Sequence, residues 1–167
     1  MVWIEAEMPG CFTVGHFIDN ATSTQSIMQS YPTPAGSVRI EKMNDTFTKY
    51  HLGNNRVLHH FTAANDEHFH DHPWSFRTSI LAGGYVEVIG EPREDGTMTL
   101  TTIERLAGTT HEVKASTIHK LTRLITSDCW TLIEPGPKER ESGFYKVDSR
   151  GIWHRFWHEQ HWRRFVP

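Results

Sequence analysis

The amino-acid sequence predicts an all-β domain, a sandwich or barrel of many short strands. From residue 37 onward, runs of strand-forming side chains follow one another at short spacing, and turn residues such as Gly53, Asn54 and Asn55 separate them. The run at residues 97–106 is rich in threonine, which suits a strand. Short strands with regular turn signals are typical of sandwiches and barrels.

The elements follow in order along the chain. A polar, proline-containing segment, residues 1–36, is expected to form an N-terminal extension that packs on the barrel, with a short helix near residues 25–30. Residues 37–167 are assigned to the barrel domain. Its last part, residues 152–165, is aromatic and predicts either a helix or an irregular segment wrapped over the barrel. Strands are predicted at residues 38–43, 47–52, 56–62, 76–81, 85–89, 97–106, 112–114, 119–125 and 130–134.

Composition limits the classes of function. The 167 residues fit one domain, and the net charge of -3 with a pI near 6.4 indicates no nucleic-acid partner. No segment approaches the roughly 20 apolar residues of a membrane span, so no membrane contact is expected. The two cysteines, Cys11 and Cys129, lie far apart and lack zinc spacing, which favours a reducing, cytoplasmic location.

Histidine is abundant, and three of the twelve histidines lie within five residues, at His68, His70 and His72. Because side chains alternate along a strand, His70 and His72 are expected to point to the same face. Two imidazoles on one face supply half of a metal site. His68 has the same parity, but three alternating residues span too far to ligate one ion comfortably, so it is expected near the site rather than in it.

The chain resembles the cupin family in the spacing of these residues. His70 and His72 followed by Gly83 match the first cupin motif, and Gly108 followed by His119 matches the frame of the second. The resemblance covers roughly residues 55–146 and implies a single jelly-roll β-barrel. It also implies that His70, His72 and His119 are the metal ligands. Further residues that carry it are Asp71, Pro73, Trp74, Gly84, Tyr85, Gly136, Pro137, Lys138, Arg140, Gly143, Phe144 and Tyr145.

The departures from the family pattern affect the metal site. Phe76 stands at the position of the family's glutamate ligand, while Lys114, Ser116 and Arg123 replace its proline, glycine and asparagine in the second motif. The ligand set is then three histidines, which resembles the thiol dioxygenases that hold Fe(II). We therefore favour a mononuclear Fe(II) oxygenase acting on a small polar or acidic molecule.

Two other classes of function stay open. The first is a non-redox isomerase, lyase or hydrolase with zinc or nickel. The second is a non-catalytic ligand-binding module, because this scaffold hosts many activities.

Three further residues are candidates for catalytic roles. Arg123 shares strand parity with His119 and is a candidate anchor for a carboxylate or phosphate, with an exposed strand-end arginine as the alternative. Tyr85 and Glu87 share parity after the glycine turn and are candidate acid or hydrogen-bonding groups, or else outward residues. His111 is left open as a turn residue or a neighbour of the site.

A homodimer is expected, because edge strands of such barrels often pair between chains.

Overall fold

The computed structural model describes residues 27–33, 36–64 and 66–167. These residues form β-strands and no helix. The strands are β1 (Ile27–Thr33), β2 (Gly36–Asn44), β3 (Phe47–Gly53), β4 (Arg56–Phe61), β5 (Phe69–His70), β6 (Phe76–Ala82), β7 (Gly84–Pro92), β8 (Met98–Leu106), β9 (Thr110–Val113), β10 (Ile118–Leu124), β11 (Cys129–Pro135), β12 (Gly143–Asp148), β13 (Gly151–Phe156) and β14 (Arg163–Arg164).

The strands make two seven-stranded antiparallel sheets. The first sheet has the order β1-β2-β3-β4-β11-β6-β9, and the second has the order β14-β13-β12-β5-β10-β7-β8. From β4 to β11 the chain crosses between the sheets at every connection except the β7–β8 hairpin, which is the strand order of a jelly roll. Strands β1–β3 extend the first sheet, and β12–β14 extend the second. The predicted all-β jelly-roll fold is confirmed.

The turns explain why the strands end where they do. Asn54 and Asn55 both have positive φ, 50° and 54°, as a two-residue hairpin turn between β3 and β4 requires. Gly83, at φ 72°, forms the turn between β6 and β7, where an added Cβ would lie 2.1 Å from the carbonyl oxygen of Asp128. Both turns fall at the positions that the sequence predicts.

The chain ends differ from two expectations. Residues 27–33 form strand β1 rather than part of a helix, because their backbone pairs along its length with β2. The aromatic segment at residues 152–165 is neither a helix nor wholly irregular, since half of it pairs as strands β13 and β14. The remainder of the expected extension, with Cys11, lies outside the described residues, so its packing on the barrel stays a prediction.

Alternation along the second sheet divides it into two faces. Phe69 and Ile118 point away from the first sheet and pack with Tyr145 and Ile152 in one buried cluster. Their neighbours His70 and His119 therefore point towards the first sheet. A second buried cluster lies between the sheets beside them, formed by Ala64, Ile80, Tyr85, Leu121 and Cys129. The histidines thus lie between the sheets beside an apolar cluster.

Candidate metal centre

The pairing of β5 with β10 brings His70 and His119 together. His70 and His119 are direct partners across these strands, and their ring centroids lie 4.8 Å apart. Directly opposed residues in an antiparallel pair share a face, so the two imidazoles meet without any special loop. Strand register alone therefore brings together His70 and His119, which lie far apart in the sequence.

His72 completes the cluster from the segment that follows β5. Its ring centroid lies 5.1 Å from that of His70 and 5.0 Å from that of His119. Its backbone N–H donates to the carbonyl oxygen of Ala115 at 3.2 Å, which holds this segment beside β10. The predicted ligands His70, His72 and His119 are therefore brought together, with potential ligand atoms all within 4.8 Å of one another.

The spacing of the nitrogens fits a metal ion. The Nε2 atoms of His72 and His119 lie 2.8 Å apart. Two ligands at right angles on metal–nitrogen bonds of 2.0–2.1 Å would be about 2.9 Å apart. The pair therefore matches adjacent ligands of one ion, and the donor set of imidazoles suits iron, zinc, copper or nickel.

Burial keeps the imidazoles of His70 and His72 neutral, as metal ligands must be. Burial and the charge of His119 lower the pKa of His70 to about 3. Burial, with the charges of His70 and His119, also lowers the pKa of His72 well below its ordinary value. Since a neutral imidazole offers a lone pair, both rings are ready to bind a cation at neutral pH.

Glu87 lies behind His119 and controls its ring. Its Oε1 accepts a short hydrogen bond from Nδ1 of His119, and its Oε2 accepts one from Nε of Arg105 at 2.8 Å. Burial would raise the pKa of Glu87, but the hydrogen bonds and charges of His119 and Arg105 outweigh it and lower the pKa to about 2. The ionised carboxylate keeps the proton on Nδ1, so Nε2 of His119 presents its lone pair to the cluster.

Asp71 fixes the segment that carries the histidines. Its fully buried carboxylate accepts hydrogen bonds from the Gly143 N–H at 2.6 Å and the Tyr145 hydroxyl at 2.8 Å, and pairs with Arg140 at 3.1 Å. Because Asp71 lies between His70 and His72, these bonds to the β12 side hold both neighbouring backbones in place. The sequence singled out these partners through their spacing, but not this contact.

Phe76 fills the position where the cupin pattern has a carboxylate ligand. Its ring centroid lies 4.8 Å from that of His72 in an edge-on contact. The ring thus supports His72 by packing and leaves the ion without a fourth protein ligand from this position. Asp66 borders the cluster on another side, with Oδ2 4.0 Å from Nδ1 of His70.

The other predicted residues lie apart from the histidines. Arg123 has a side chain that is 59% exposed and pairs with Glu104 at 3.0 Å, because a bulge between Leu121 and Arg123 breaks the strand parity. Tyr85 is buried in the apolar cluster between the sheets. Of the candidate catalytic residues, only Glu87 reaches the site, where it contacts a ligand histidine.

His68 and His111, whose roles the sequence leaves undecided, lie in separate parts of the structure. The ring of His68 packs edge-on against Trp162, with centroids 5.0 Å apart. His111 lies on β9 opposite Thr78, and its buried ring nitrogens have no partner among the described residues. Burial and the charge of Arg105 lower the pKa of His111.

Comparison with known proteins gives fold likenesses only. No protein-family model matches the chain, and no curated protein matches it either. Among solved structures, the cupin domain of Drosophila melanogaster CENP-C has a TM-score of 0.41 and 9% identity, over 71% of this chain and 84% of that one.

Two Streptomyces proteins are similar to a like degree. The polyketide cyclase RemF from Streptomyces resistomycificus has a TM-score of 0.36 and 13% identity, over 74% of this chain and 85% of that one. A variant of Streptomyces PAC13 solved with uridine has a TM-score of 0.38 and 11% identity, over 77% of this chain and 95% of that one. The fold assignment rests on the strand order described above, and these likenesses add no functional argument.

The described residues include no helix that is long and apolar enough to span a membrane.

Proposed function

We propose that this chain is a cupin-type metalloenzyme in which His70, His72 and His119 would hold one Fe(II) ion, which would supply the redox chemistry for dioxygen to oxidise a small polar or acidic molecule. The observation that carries the proposal is the convergence of the three imidazoles, whose potential ligand atoms lie within 4.8 Å of one another. An Fe(II) ion bound by three imidazoles keeps coordination positions free and supplies redox chemistry.

The surrounding residues support an open site rather than a closed structural one. A structural zinc site commonly has four protein ligands, whereas a catalytic site keeps a position open. Here Phe76 stands in place of a fourth ligand, and both oxygens of Glu87 are engaged by His119 and Arg105. The residues present therefore fit an ion with three protein ligands.

Metal analysis of the purified protein tests this proposal. We expect one metal ion per chain in protein prepared without added metal, with iron as the ion and with oxygen uptake in its presence. Zinc or nickel without oxygen uptake would contradict the oxygenase and favour an isomerase, lyase or hydrolase. Protein that binds metal only with four protein ligands and no exchangeable position would favour a binding module.

Substitution of a ligand supplies the matched comparison. His72→Ala is expected to remove most of the bound metal and to leave the fold intact, because the two apolar clusters do not include this residue. His158→Ala, at an exposed position, is the control and is expected to retain full metal content. Stoichiometric metal in the folded His72→Ala protein would contradict the ligand assignment.

The homodimer and the cytoplasmic location remain part of this proposal. Both rest on the sequence arguments given above, and sedimentation of the purified protein at several concentrations tests the dimer. A mass of one chain at every concentration would contradict it.

A further inference from the structure

A lysine lies on the inward face of the first sheet. In the backbone register of the sheet, Lys49 on β3 lies opposite Glu41 on β2 and opposite His59 on β4. His59 in turn lies opposite Thr131 on β11. Directly opposed residues share a face, and Thr131 is only 1% exposed. This row of residues therefore faces the space between the sheets, where the three histidines also point.

The ammonium group of Lys49 lacks an anionic partner in the described part of the chain. It lies 5.4 Å from the ring centroid of Phe47. The acidic residue in its row, Glu41, instead makes an ion pair with Nε2 of His51 at 2.9 Å. Burial lowers the pKa of Lys49, and the charge of Glu41 opposes that effect. A partly buried cation without a direct counter-ion lowers the stability of the folded protein, and an anionic group on a bound ligand would offset this loss.

A histidine lies beside the lysine on the inward face of the first sheet. His59 lies beside Lys49, and burial together with the charges of Lys49 and His51 lowers the pKa of His59 to about 3. The interior thus places one cation and one neutral imidazole on the sheet opposite the candidate metal ligands.

We propose that Lys49 anchors an anionic group, a carboxylate or a phosphate, on the molecule that enters the histidine site. The inference rests on the proposed function, since it assigns a substrate class to that same site. Lys49 then takes the anchoring role that the sequence suggested for Arg123, which lies on the exposed side of its strand. The substrate is accordingly a small acid, held at its charged end by β3 and reacting at its other end beside His70, His72 and His119.

Calorimetric titration with two simple anions tests the anchor. Succinate and inorganic phosphate are titrated into the zinc-loaded protein, which is redox-silent, and into the metal-free protein. We expect the wild type to bind at least one of them, and Lys49→Met to weaken that binding by about tenfold or more. Lys49→Arg keeps the charge and is expected to stay within about threefold of the wild type. Preference for one probe distinguishes a carboxylate site from a phosphate site.

Controls separate a loss of charge from a loss of structure. Lys42→Met changes an exposed lysine on the neighbouring strand, paired with Asp45, and is expected to leave anion binding unchanged. Thermal melting verifies that Lys49→Met is folded, and Lys49→Gln replaces it if it is not. A wild type that binds neither anion at millimolar concentration, or a folded Lys49→Met that binds as the wild type does, overturns the anchor.

Failure of the anchor and failure of the metal centre give different results. Metal uptake without any effect of Lys49 on anion binding overturns the anchor and leaves the metal centre standing. Anion binding to the metal-free protein that depends on Lys49, combined with no metal uptake, supports the anchor and contradicts the metal centre.

Discussion

At the scale of single residues, the site depends on the carboxylate of Glu87, whose contact with a ligand histidine the sequence did not reveal. Parity left Glu87 as either an interior acid or an outward residue, and the structure puts it in the interior against His119. Its two oxygens join His119 to Arg105, so the imidazole has a defined tautomer and a fixed ring plane. Glu87 is thus a positioning residue, and its effect is on the metal ligand.

Replacing this carboxylate gives a test at the residue scale. Glu87→Gln is expected to lower metal affinity by about 10–100-fold, because an amide holds the His119 ring and its proton less firmly than a carboxylate does. Affinity is measured by competition with a chromophoric chelator. Glu104→Gln, which removes an exposed carboxylate beside Arg123, is the control and should leave the affinity unchanged. Equal affinities for both variants would refute the positioning role of Glu87.

At the scale of elements, the two-residue strand β5 is held by a neighbour from the far end of the chain. Its residues pair with β10 on one side and with β12 on the other. Such a short strand cannot hold its own register, and the buried carboxylate of Asp71 adds the bonds to Gly143 and Tyr145 that fix it. The ligand segment is therefore ordered by β12.

Removing the negative charge of Asp71 tests this dependence. Asp71→Asn is expected to lower the free energy of unfolding by about 2 kcal/mol, since the amide cannot accept all the bonds that the buried carboxylate accepts. Metal affinity should fall with it, because His70 and His72 flank the position. Denaturant unfolding and metal titration measure the two effects. Asp148→Asn changes an exposed carboxylate later on β12 and should cost much less. Unchanged stability in Asp71→Asn would contradict the anchoring role.

At the scale of the whole molecule, the jelly roll encloses histidines that burial keeps uncharged. The interior holds neutral histidines on both sheets, and His59 on β4 has a pKa lowered to about 3. In the unfolded chain the same imidazole has a pKa of about 6.5. Between these two values the unfolded chain binds a proton that the folded protein does not, so folding is opposed increasingly as the pH falls.

The pH dependence of stability follows from this difference. The free energy of unfolding of the metal-free protein is expected to be nearly constant above about pH 7 and to fall below about pH 6.5. His59 alone contributes a slope of up to about 1.4 kcal/mol for each pH unit. His59→Gln is expected to flatten the curve between pH 6 and pH 5, whereas His158→Gln, at an exposed position, should not. Denaturant unfolding at a series of pH values measures the slopes, and identical curves for the wild type and His59→Gln would contradict the buried-histidine account.

Most strands were predictable, because their signals are local. Alternation and turn residues such as Asn54 and Gly83 depend only on nearby residues, and each turn appears where it was expected. Strands β12–β14 were missed. β12 pairs with the distant β5, whereas β13 and β14 pair with strands that lie nearby in the chain. For Arg123 the sequence left open an inward anchor or an exposed strand-end arginine, and its side chain is exposed, since a bulge shifts parity in a way that residue types do not reveal.

The sequence by itself determined the all-β fold, which depends on periodicity along the chain, and its resemblance to the cupin motifs singled out the three histidines of the candidate site. Tertiary structure alone decided what surrounds those histidines. The contact of Glu87 with His119 and the bonds of Asp71 to β12 arise from strand register between remote segments. The inward face of Lys49 follows from the pairing of its neighbouring strand β4 with the remote strand β11. Register is set by the packing of the two sheets, and no short stretch of sequence encodes it.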